Sequence, residues 1–354
     1  MPVSIRDVAH HAGVSPATVS RVLRNDPTMR ISAATQERVR LAVQALQYQP
    51  SPSPSKRKVR RLRSVGLLFP PGDSHIIRHP FFSAQLDGVV VAAAQRQMNV
   101  TMLTGHPRGD FGRLLEAFHY SGCEGLLAFW QPLSEDSLSL LLDADVPLVL
   151  MNDTRPDMRL SCVEVESQDS SRRLIHYLFG LGHTRIALFA AGPGDHQYVL
   201  PRIAGYREAH AERGIEVDEK LIMFNQNSWE PHTIRRGVDS LLLRPASQRP
   251  TALFCTDDDS AAVAIAALSS QGVEVPDDFS VAGFNDDGSA DRLNPTLTTL
   301  RQPYDRLAAE AIDMLLEQVT DLSKRGRRVV LPAELVVRGS TAPPPVSHYA
   351  HLII

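Results

Sequence analysis

The architecture of this 354-residue chain is set near its start, by the segment Ser15-Pro16-Ala17-Thr18-Val19-Ser20-Arg21-Val22-Leu23. Ser15 can cap a helix because its hydroxyl accepts hydrogen bonds from free backbone N–H groups, and Pro16 suits the first helical position, where no N–H is needed. Val19, Val22 and Leu23 recur at helical spacing and predict one apolar face. The other side chains are small, hydroxyl-bearing or arginine, so they can approach phosphates and reach base edges in a DNA groove. Together with Ser15, these candidate DNA contacts are Pro16, Ala17, Thr18, Ser20, Arg21 and Arg24.

Two further helices are predicted on either side of this segment. The first starts at Ser4, with Asp7 three residues later as a variant of the capping box, and Gly13-Val14 ends it. A helix, a glycine-containing turn and a second helix form the helix-turn-helix pattern of DNA-binding proteins. The third helix has Ser32 or Thr35 as its start signal. The predicted apolar faces are Ile5, Val8, Ala9 and Ala12 in the first helix, and Val39, Leu41, Ala42, Ala45 and Leu46 in the third.

The distribution of charge separates a DNA-binding head from an ordinary three-helix bundle, which is the alternative. Residues 1–63 contain twelve Lys and Arg against three acidic residues, a net charge of +9. The whole chain carries −3, so residues 64–354 carry −12. A basic head on an acidic body is typical of a nucleic-acid-binding module joined to a different domain.

Four segments of the head carry a family resemblance: Ser4–Ala9, Ala12–Leu23, Thr35–Val39 and Leu46–Pro50. They closely resemble the head of the lactose-repressor (LacI/GalR) family of bacterial regulators. The resemblance implies that Pro16, Ala17 and Arg21 face the major groove, and that Thr18 and Ser20 contact phosphates. Arginine to guanine is the commonest specific base contact, so we expect Arg21 to read a base directly.

Residues 50–63 are predicted to be a linker between two domains. Alternating Pro and Ser favour an extended chain, and a run of six Lys and Arg follows between Lys56 and Arg63. The resemblance implies a short hinge helix whose leucine enters the minor groove, but Pro52 and Pro54 disfavour that helix and Arg57 stands at the leucine position. We expect Lys56, Arg57 and the rest of the basic run to bind phosphates; a plain tether is the alternative.

The body predicts an α/β fold, because short apolar runs alternate with amphipathic segments from Ser64 onward. Such alternation is typical of parallel sheets covered by helices on both faces, and about nine strands suit two sheets better than one. The predicted strands are Val65–Phe69, Val100–Leu103, Leu126–Phe129, Leu148–Met151, Ile186–Ala190, Leu221–Phe224, Ala252–Cys255, Phe279–Phe284 and Val329–Leu331. The predicted helices include Ala84–Gln97, Ser171–Leu181, Arg202–Arg213, Ser260–Gln271 and Tyr304–Val319.

The family resemblance extends over the body, more loosely, through Pro80–Phe82, Leu181–Ile186, Arg202–Tyr206, Ser280–Asp286, Pro295–Thr299 and Leu335–Thr341. It implies an effector domain similar to a periplasmic sugar-binding protein, with two lobes, three chain crossings and a small ligand between the lobes. The first lobe would span about 64–162 plus 293–326, and the second about 163–292 plus 327–341. The predicted domains are therefore a head at 1–49, the linker at 50–63, an effector-binding and dimerisation domain at 64–341 and a tail at 342–354. The tail lacks leucine heptads, so we expect no tetramer-forming coiled coil.

Candidate effector contacts follow the predicted strands, where ligands of such folds bind. Planar Asn, Asp and Arg groups pair with neighbouring hydroxyls of a sugar, and aromatic rings stack on its C–H faces. Asn152, Asp257 and Asn285 come directly after strands, and Arg202 opens a helix; all four match effector-contacting positions of the family. The family usually has an amide where Asp257 stands and an acid at the two Asn positions, which leaves the effector open. Trp229 matches an aromatic stacking position, and Trp130, Phe82 and Asp73 are further candidates.

Each of these residues has a structural alternative. Arg202 could form a surface ion pair, Asp257 could only cap a helix, Asn285 could be a turn residue, and Trp130 could belong to the core or a dimer surface. Cys123, Cys162 and Cys255 are scattered and lack metal-ligand spacing, so we expect reduced thiols, no metal and no cofactor. No apolar run reaches the length of a membrane span, and the N-terminus lacks a secretory signal, so we expect a cytoplasmic protein.

The function predicted from these features is sequence-specific DNA binding controlled by a small ligand. We expect a repressor of a sugar-utilisation operon, acting as a homodimer on a pseudo-palindromic operator. The effector would be a mono- or oligosaccharide, for example a β-galactoside, with a nucleobase or nucleoside as the alternative. The sequence has no nucleophile elbow and no phosphate-binding glycine loop, so an enzyme is not expected. A sugar-binding transport protein is the remaining alternative, against which the basic head argues.

Overall fold

The computed structural model describes residues 5–15, 18–19, 22, 31–46, 63–68, 79–103, 111–129, 134–152, 159–192, 198–225 and 231–345. The chain divides into two compact units, Met1–Arg60 and Arg61–Ile354. The predicted α/β fold class with a helical head is confirmed. In the described part of the chain, no helix is long and apolar enough to span a membrane.

The head contains helices α1 (Ile5–Ala12) and α2 (Ala33–Ala45), and Thr18, Val19 and Val22 between them are also helical. Helix α1 ends at Gly13, whose φ of 63° lets its N–H and that of Val14 bond back to carbonyls of the last turn. The predicted cap at Ser15 is confirmed, because its Oγ accepts the Thr18 N–H at 3.1 Å. Ser32 rather than Thr35 caps α2.

The apolar core of the head corrects one predicted face. Val8, Ala9, Ala12, Val19, Val39 and Ala42 are buried together. On α2, Val43 and Leu46 pack against this core, whereas Leu41 and Ala45 are exposed, so their predicted burial is wrong. Val39, Ala42, Val43 and Leu46 follow the spacing i, i+3, i+4, i+7 that one helix face requires, and Leu41 lies outside it.

The first sheet of the body is parallel throughout, in the order β11-β5-β4-β3-β1-β2. Helices α3 (Pro80–Gln95) and α10 (Tyr304–Thr320) cover one face, and α4 (Phe111–Ser121) and α5 (Glu135–Asp143) cover the other. The strands are β1 (Ser64–Leu68), β2 (Asn99–Leu103), β3 (Gly125–Phe129), β4 (Leu148–Met151), β5 (Ser161–Glu166) and β11 (Arg328–Pro332).

The second sheet has the order β12-β10-β9-β8-β6-β7 and is parallel except for β12, which runs antiparallel to β10. Helices α6 (Ser167–Gly180) and α7 (Val199–Glu212) cover one face, and α8 (Pro231–Leu242) and α9 (Asp258–Ser270) cover the other. The strands are β6 (Ile186–Ala191), β7 (Ile222–Asn225), β8 (Ala252–Cys255), β9 (Ser280–Asn285), β10 (Thr298–Arg301) and β12 (Glu334–Val336).

The chain passes between the lobes three times, but not where the sequence predicted. The crossings follow β5, join β10 to α10, and join β11 to β12. The predicted ranges 64–162 plus 293–326 are therefore wrong at their ends, since 163–166 and 328–332 belong to the first lobe and 298–301 to the second. The error has a physical reason: β5, β10 and β12 were not predicted as strands because charged and hydroxyl side chains interrupt them.

Cys123, Cys162 and Cys255 are buried and form no disulfide, in line with the reduced thiols expected from their scattered positions. Burial raises the pKa of the Cys255 thiol well above its usual range, and the neighbouring Asp257 and Asp258 raise it further. This thiol therefore packs as a small apolar side chain in the core of the second lobe.

Candidate effector site

A cavity of about 310 Å³ lies between the two lobes of the body. Its wall is made by the carboxyl ends of strands from both sheets, by α7 and by the crossing segments. The first lobe contributes Phe81, Phe82, Asn152, Glu164, Val165, Glu166, Arg328 and Val330. The second lobe contributes Ser167, Gln168, Tyr198, Pro201, Arg202, Asp257 and Asn285, and Gln302 lies on the crossing between β10 and α10.

Arg202 is the buried cation of this cavity, with 5% of its surface exposed. Its guanidinium lies 3.6 Å from the centroid of the Phe284 ring, and its Nη1 donates to the carbonyl oxygen of Thr256. Burial lowers the pKa of Arg202 to about 10, although Tyr198 and Asp257 counteract this shift. Its Nε has no hydrogen-bond partner among the described residues, so one donor remains available beside the cavity.

Asp257 supplies a buried carboxylate, 4% exposed. Its Oδ1 caps α9 by accepting the Ser260 N–H at 2.6 Å, whereas Oδ2 has no partner among the described residues. Burial raises the pKa of the Asp257 carboxyl, and its hydrogen bonds with Ser260 and the nearby Arg202 oppose that shift. The residue therefore caps α9 and also offers an acceptor to the cavity.

Two amides from different lobes complete the polar surface. Asn152, directly after β4, has a φ of 55°, and neither polar atom of its side chain has a hydrogen-bond partner among the described residues. Asn285 is 5% exposed, and its Oδ1 accepts a hydrogen bond from Gln302 Nε2 at 2.8 Å. Gln302 is itself 2% exposed, and no described residue bonds to its Oε1. A buried polar atom without a partner costs free energy, which a bound polar ligand would recover.

The apolar side of the cavity comes mainly from aromatic rings. Phe82 is 3% exposed and packs edge-to-face against Phe81, with ring centroids 5.2 Å apart. Phe81 also packs edge-to-face against the ring of Tyr304. The Tyr198 ring is held in place because its hydroxyl donates a hydrogen bond of 2.5 Å to the Ala191 carbonyl oxygen. The cavity thus pairs a polar wall with an aromatic one.

An ion pair forms the end of the cavity near the edge of the first sheet. Glu164 on β5 is 5% exposed, and its Oε1 accepts from Arg328 Nε on the neighbouring strand β11. Next to this pair, the Glu166 carboxylate caps α6 by accepting the N–H groups of Asp169 and Ser170 at 2.7 and 2.8 Å. The Glu166 carboxylate is therefore hydrogen-bonded to backbone N–H groups, and the Glu164 carboxylate to the Arg328 guanidinium.

The structure brings together every predicted effector residue that it describes. Phe82, Asn152, Arg202, Asp257 and Asn285 all line the cavity. Trp130, Trp229 and Asp73 lie outside the described residues. The sequence prediction missed Gln302, Tyr198, Glu164 and Arg328, because these residues reach the cavity only through the placement of crossings and edge strands. Glu164 alone carries a local signal, as a charged residue between Val163 and Val165.

Of the predicted DNA contacts, the structure describes Ser15 and Thr18. Ser15 is exposed, and its hydroxyl lies 2.9 Å from the Thr18 Oγ1. The two hydroxyls therefore both lie at the start of the helical segment that contains Thr18 and Val19, and they place oxygen atoms at the surface of the head. Pro16, Ala17, Ser20, Arg21, Arg24, Lys56 and Arg57 lie outside the described residues.

Comparisons with known proteins agree with both units. Residues 4–51 match the family described as "Bacterial regulatory proteins, lacI family", and residues 175–341 match the "Periplasmic binding protein-like domain". The chain is 31% identical over 342 residues to the HTH-type transcriptional repressor PurR of Aliivibrio fischeri (strain MJ11), which covers 95% of this chain and 98% of that protein.

Two solved structures show the same arrangement of domains along the chain. The complex of the transcriptional regulator CelR with cellobiose has a TM-score of 0.68 at 28% identity, covering 96% of this chain and 99% of that one. The lac repressor dimer bound to operator and the anti-inducer ONPF has a TM-score of 0.64 at 25% identity, covering 97% and 100%.

A helix-turn-helix head joined to a two-lobed ligand-binding domain defines a class of DNA-binding transcriptional regulators. The chain belongs to the lacI family of bacterial regulatory proteins and is a DNA-binding transcriptional repressor of that family. The prediction that it is not an enzyme is confirmed, since these relatives are described as regulators.

Proposed function

We propose that the protein represses a sugar-utilisation operon, and that a mono- or oligosaccharide, for example a galactoside, bound in the cavity controls its affinity for the operator. The observation that carries this proposal is the set of buried polar atoms on the cavity wall that have no hydrogen-bond partner among the described residues. They belong to Asn152, Arg202, Asp257 and Gln302. These atoms include donors and acceptors from both lobes, opposite an aromatic surface.

The chemistry of a sugar matches this wall. Each hydroxyl both donates and accepts, so it can bridge the Arg202 Nε donor and the Asp257 Oδ2 acceptor, which a purely apolar ligand would leave unsatisfied. The C–H faces of a sugar ring suit the face of an aromatic ring, which Phe82 can supply. The binding of cellobiose by the similar regulator CelR supports this class of ligand.

The position of the cavity suggests how binding is coupled to DNA. A ligand that contacts both lobes favours one angle between them over another, and it shifts the population toward the state that it binds better. In a homodimer, this angle would set the spacing of two heads on a pseudo-palindromic operator. The similar lac repressor, solved as a dimer bound to operator, supports this assembly.

In this proposal the head at 1–49 reads the operator and the linker at 50–63 adds electrostatic affinity. Arg21, Pro16 and Ala17 would face base edges, and the hydroxyls of Ser15, Thr18 and Ser20 would contact phosphates, with Arg24 nearby. Lys56, Arg57 and the following basic residues would contact phosphates too. Replacing the basic residues of 56–63 with Gln should then lower the salt dependence of DNA binding. An unchanged slope would leave the linker a plain tether. Such a protein acts where the chromosome is, in the cytoplasm.

A thermal-shift screen of the full chain tests the effector class. A bound ligand raises the melting temperature by mass action, so at least one sugar among mono- and disaccharides should raise it in a concentration-dependent way. Purine bases and nucleosides form the second arm of the screen. A rise with purines alone would replace the sugar by the nucleobase alternative, and no rise in either arm would overturn the proposed effector.

A further inference from the structure

The cavity is lined in part by one edge of the first sheet. Its wall takes Asn152 from the end of β4, Glu164 from β5, and Arg328 and Val330 from the edge strand β11. These three strands are neighbours in the order β4, β5, β11, and adjacent strands lie about 4.8 Å apart, so the wall extends for roughly 10 Å. We call the part lined by Glu164, Arg328 and Val330 the edge end.

The edge end and the opposite end differ in what they offer a ligand. The opposite end has polar side-chain atoms of Asn152, Arg202 and Asp257 that have no hydrogen-bond partner among the described residues. These atoms suit the hydroxyls of one sugar ring. At the edge end, Arg328 bonds Glu164 through Nε and Nη2, whereas its Nη1 makes no bond to the described residues, and its side chain is 55% exposed. Val330, two residues further on the same face of β11, is 45% exposed. Donor groups beside an exposed apolar side chain form a second surface suited to a sugar ring.

The charges on the wall select against an anionic ligand. Two guanidinium groups, of Arg202 and Arg328, face three carboxyl groups, of Glu164, Glu166 and Asp257. Arg328 is already paired with Glu164, so a phosphate at the edge end would compete with a nearly buried carboxylate for the same guanidinium. A neutral hydroxyl can bond to the remaining N–H groups without that competition.

We propose that the effector is an uncharged sugar of at least two rings, whose second ring binds the Glu164–Arg328 pair and Val330 at the edge end. This inference rests on the proposed function, which it narrows from sugars in general to neutral oligosaccharides. It makes the Glu164–Arg328 pair the element that discriminates a disaccharide from its component monosaccharide.

Isothermal titration of the full chain tests the proposal with matched pairs: glucose with cellobiose or maltose, galactose with lactose, and glucose 6-phosphate as the charged probe. One disaccharide should bind at least about tenfold more tightly than its own monosaccharide, through one or two additional hydrogen bonds, and glucose 6-phosphate should not bind. In the double variant Glu164→Gln, Arg328→Gln, which removes both charges together, the affinity for that disaccharide should fall by about tenfold. The affinity for the monosaccharide should stay within about twofold.

Arg327→Gln is the matched control, because Arg327 pairs with Glu310 and Glu317 and does not line the cavity. It should leave all affinities unchanged. If the wild-type chain binds the disaccharide and the monosaccharide with equal affinity, the proposal is overturned, whatever the variants bind. Equal losses of affinity for both sugars in the double variant would also overturn it. Either result leaves the proposed function intact, since a sugar still binds. Binding of none of the sugars would instead overturn the proposed function and this inference with it.

Discussion

The head and the body of this repressor present their recognition groups in opposite ways. The head has a small core of Val and Ala side chains and a net charge of +9 up to residue 63, and Ser15, a predicted DNA contact, is exposed. The body is acidic and keeps its recognition groups inside: Arg202, Asp257 and Asn285 are each exposed by 5% or less. Charged side chains at a protein surface bind a DNA backbone, whereas desolvated polar groups in a cavity bind a small ligand.

This difference predicts how the two regions respond to substitution. A buried polar group in the body is supported by neighbours on several elements, so its removal changes both ligand affinity and packing. A surface side chain of the head contributes a contact to DNA and little to stability. The predictions below test this contrast, beginning with the largest effect.

The largest effect is expected at Gly205, where α7 packs directly on α6. A Cβ at this position would lie 2.0 Å from the carbonyl oxygen of Gln168 and 2.9 Å from the amide nitrogen of Arg172. Gly205→Ala should therefore force the helices apart and lower the free energy of unfolding by about 3 kcal/mol. Gly180→Ala is the control, because no described atom outside its own helix backbone and chain neighbours lies within 4 Å of its Cβ position. Urea denaturation measures both, and equal stability of the two variants would contradict the packing described here.

Arg202→Ala tests the buried cation. It removes a charged donor and the contact with Phe284, so the affinity for the sugar identified by thermal shift should fall by about 10- to 100-fold. Arg207→Ala on the same helix removes only an exposed ion pair with Glu219 and should leave the affinity unchanged. Titration calorimetry compares the two. A loss shared by both variants would assign the effect to the helix rather than to the cavity.

Arg21→Ala tests the surface side of the comparison. If Arg21 reads a base, the substitution should cost about 1–3 kcal/mol on the specific operator and little on random DNA. Fluorescence anisotropy with the two DNAs at the same salt concentration measures this ratio. Equal losses on both would make Arg21 a phosphate contact.

The last prediction concerns the pH dependence of the body. Asp258 is fully buried, accepts hydrogen bonds from Thr299 and from the Asp286 N–H at 2.6 Å each, and has its pKa raised by burial to about 8. An unfolded Asp titrates near pH 3.9. The native state therefore retains a proton that the unfolded state releases, so this stabilisation is complete below about pH 4 and is lost as the pH rises to about 8. Asp258→Asn cannot ionise, and its melting temperature should fall less than that of the wild type between pH 5 and pH 8. Parallel falls would show that Asp258 is already ionised in the folded protein.

The sequence predicted the parts of the fold that depend on local pattern. Gly13 indicates the end of the first helix of the head, and Ser15 indicates the start of the next helical segment. The nine strands predicted from apolar runs are all present. The strands β5, β10 and β12 could not be predicted, since their polar residues are satisfied by partners far along the chain. Glu164, for example, is paired with Arg328, and the Thr298 hydroxyl accepts the Arg338 N–H.

The site shows the same limit. Asn152, Arg202, Asp257 and Asn285 were predicted because each stands at the end of a strand or the start of a helix, a position that the sequence reveals. Gln302 reaches the cavity because the chain crosses between the lobes after β10, and Arg328 because β11 forms the edge of the first sheet. The sequence pattern indicates neither position. Long-range topology, rather than residue chemistry, was the missing information.

The central claim is that a sugar in the body controls the affinity of the head for DNA. The most direct test selects an operator from random-sequence DNA and measures its Kd for the full chain by anisotropy, with and without a saturating concentration of the sugar that raises the melting temperature. We expect the Kd to change by at least about fivefold, in either direction, and Arg202→Ala to abolish that change. A sugar that saturates the wild-type chain and leaves the operator Kd unchanged would contradict this account.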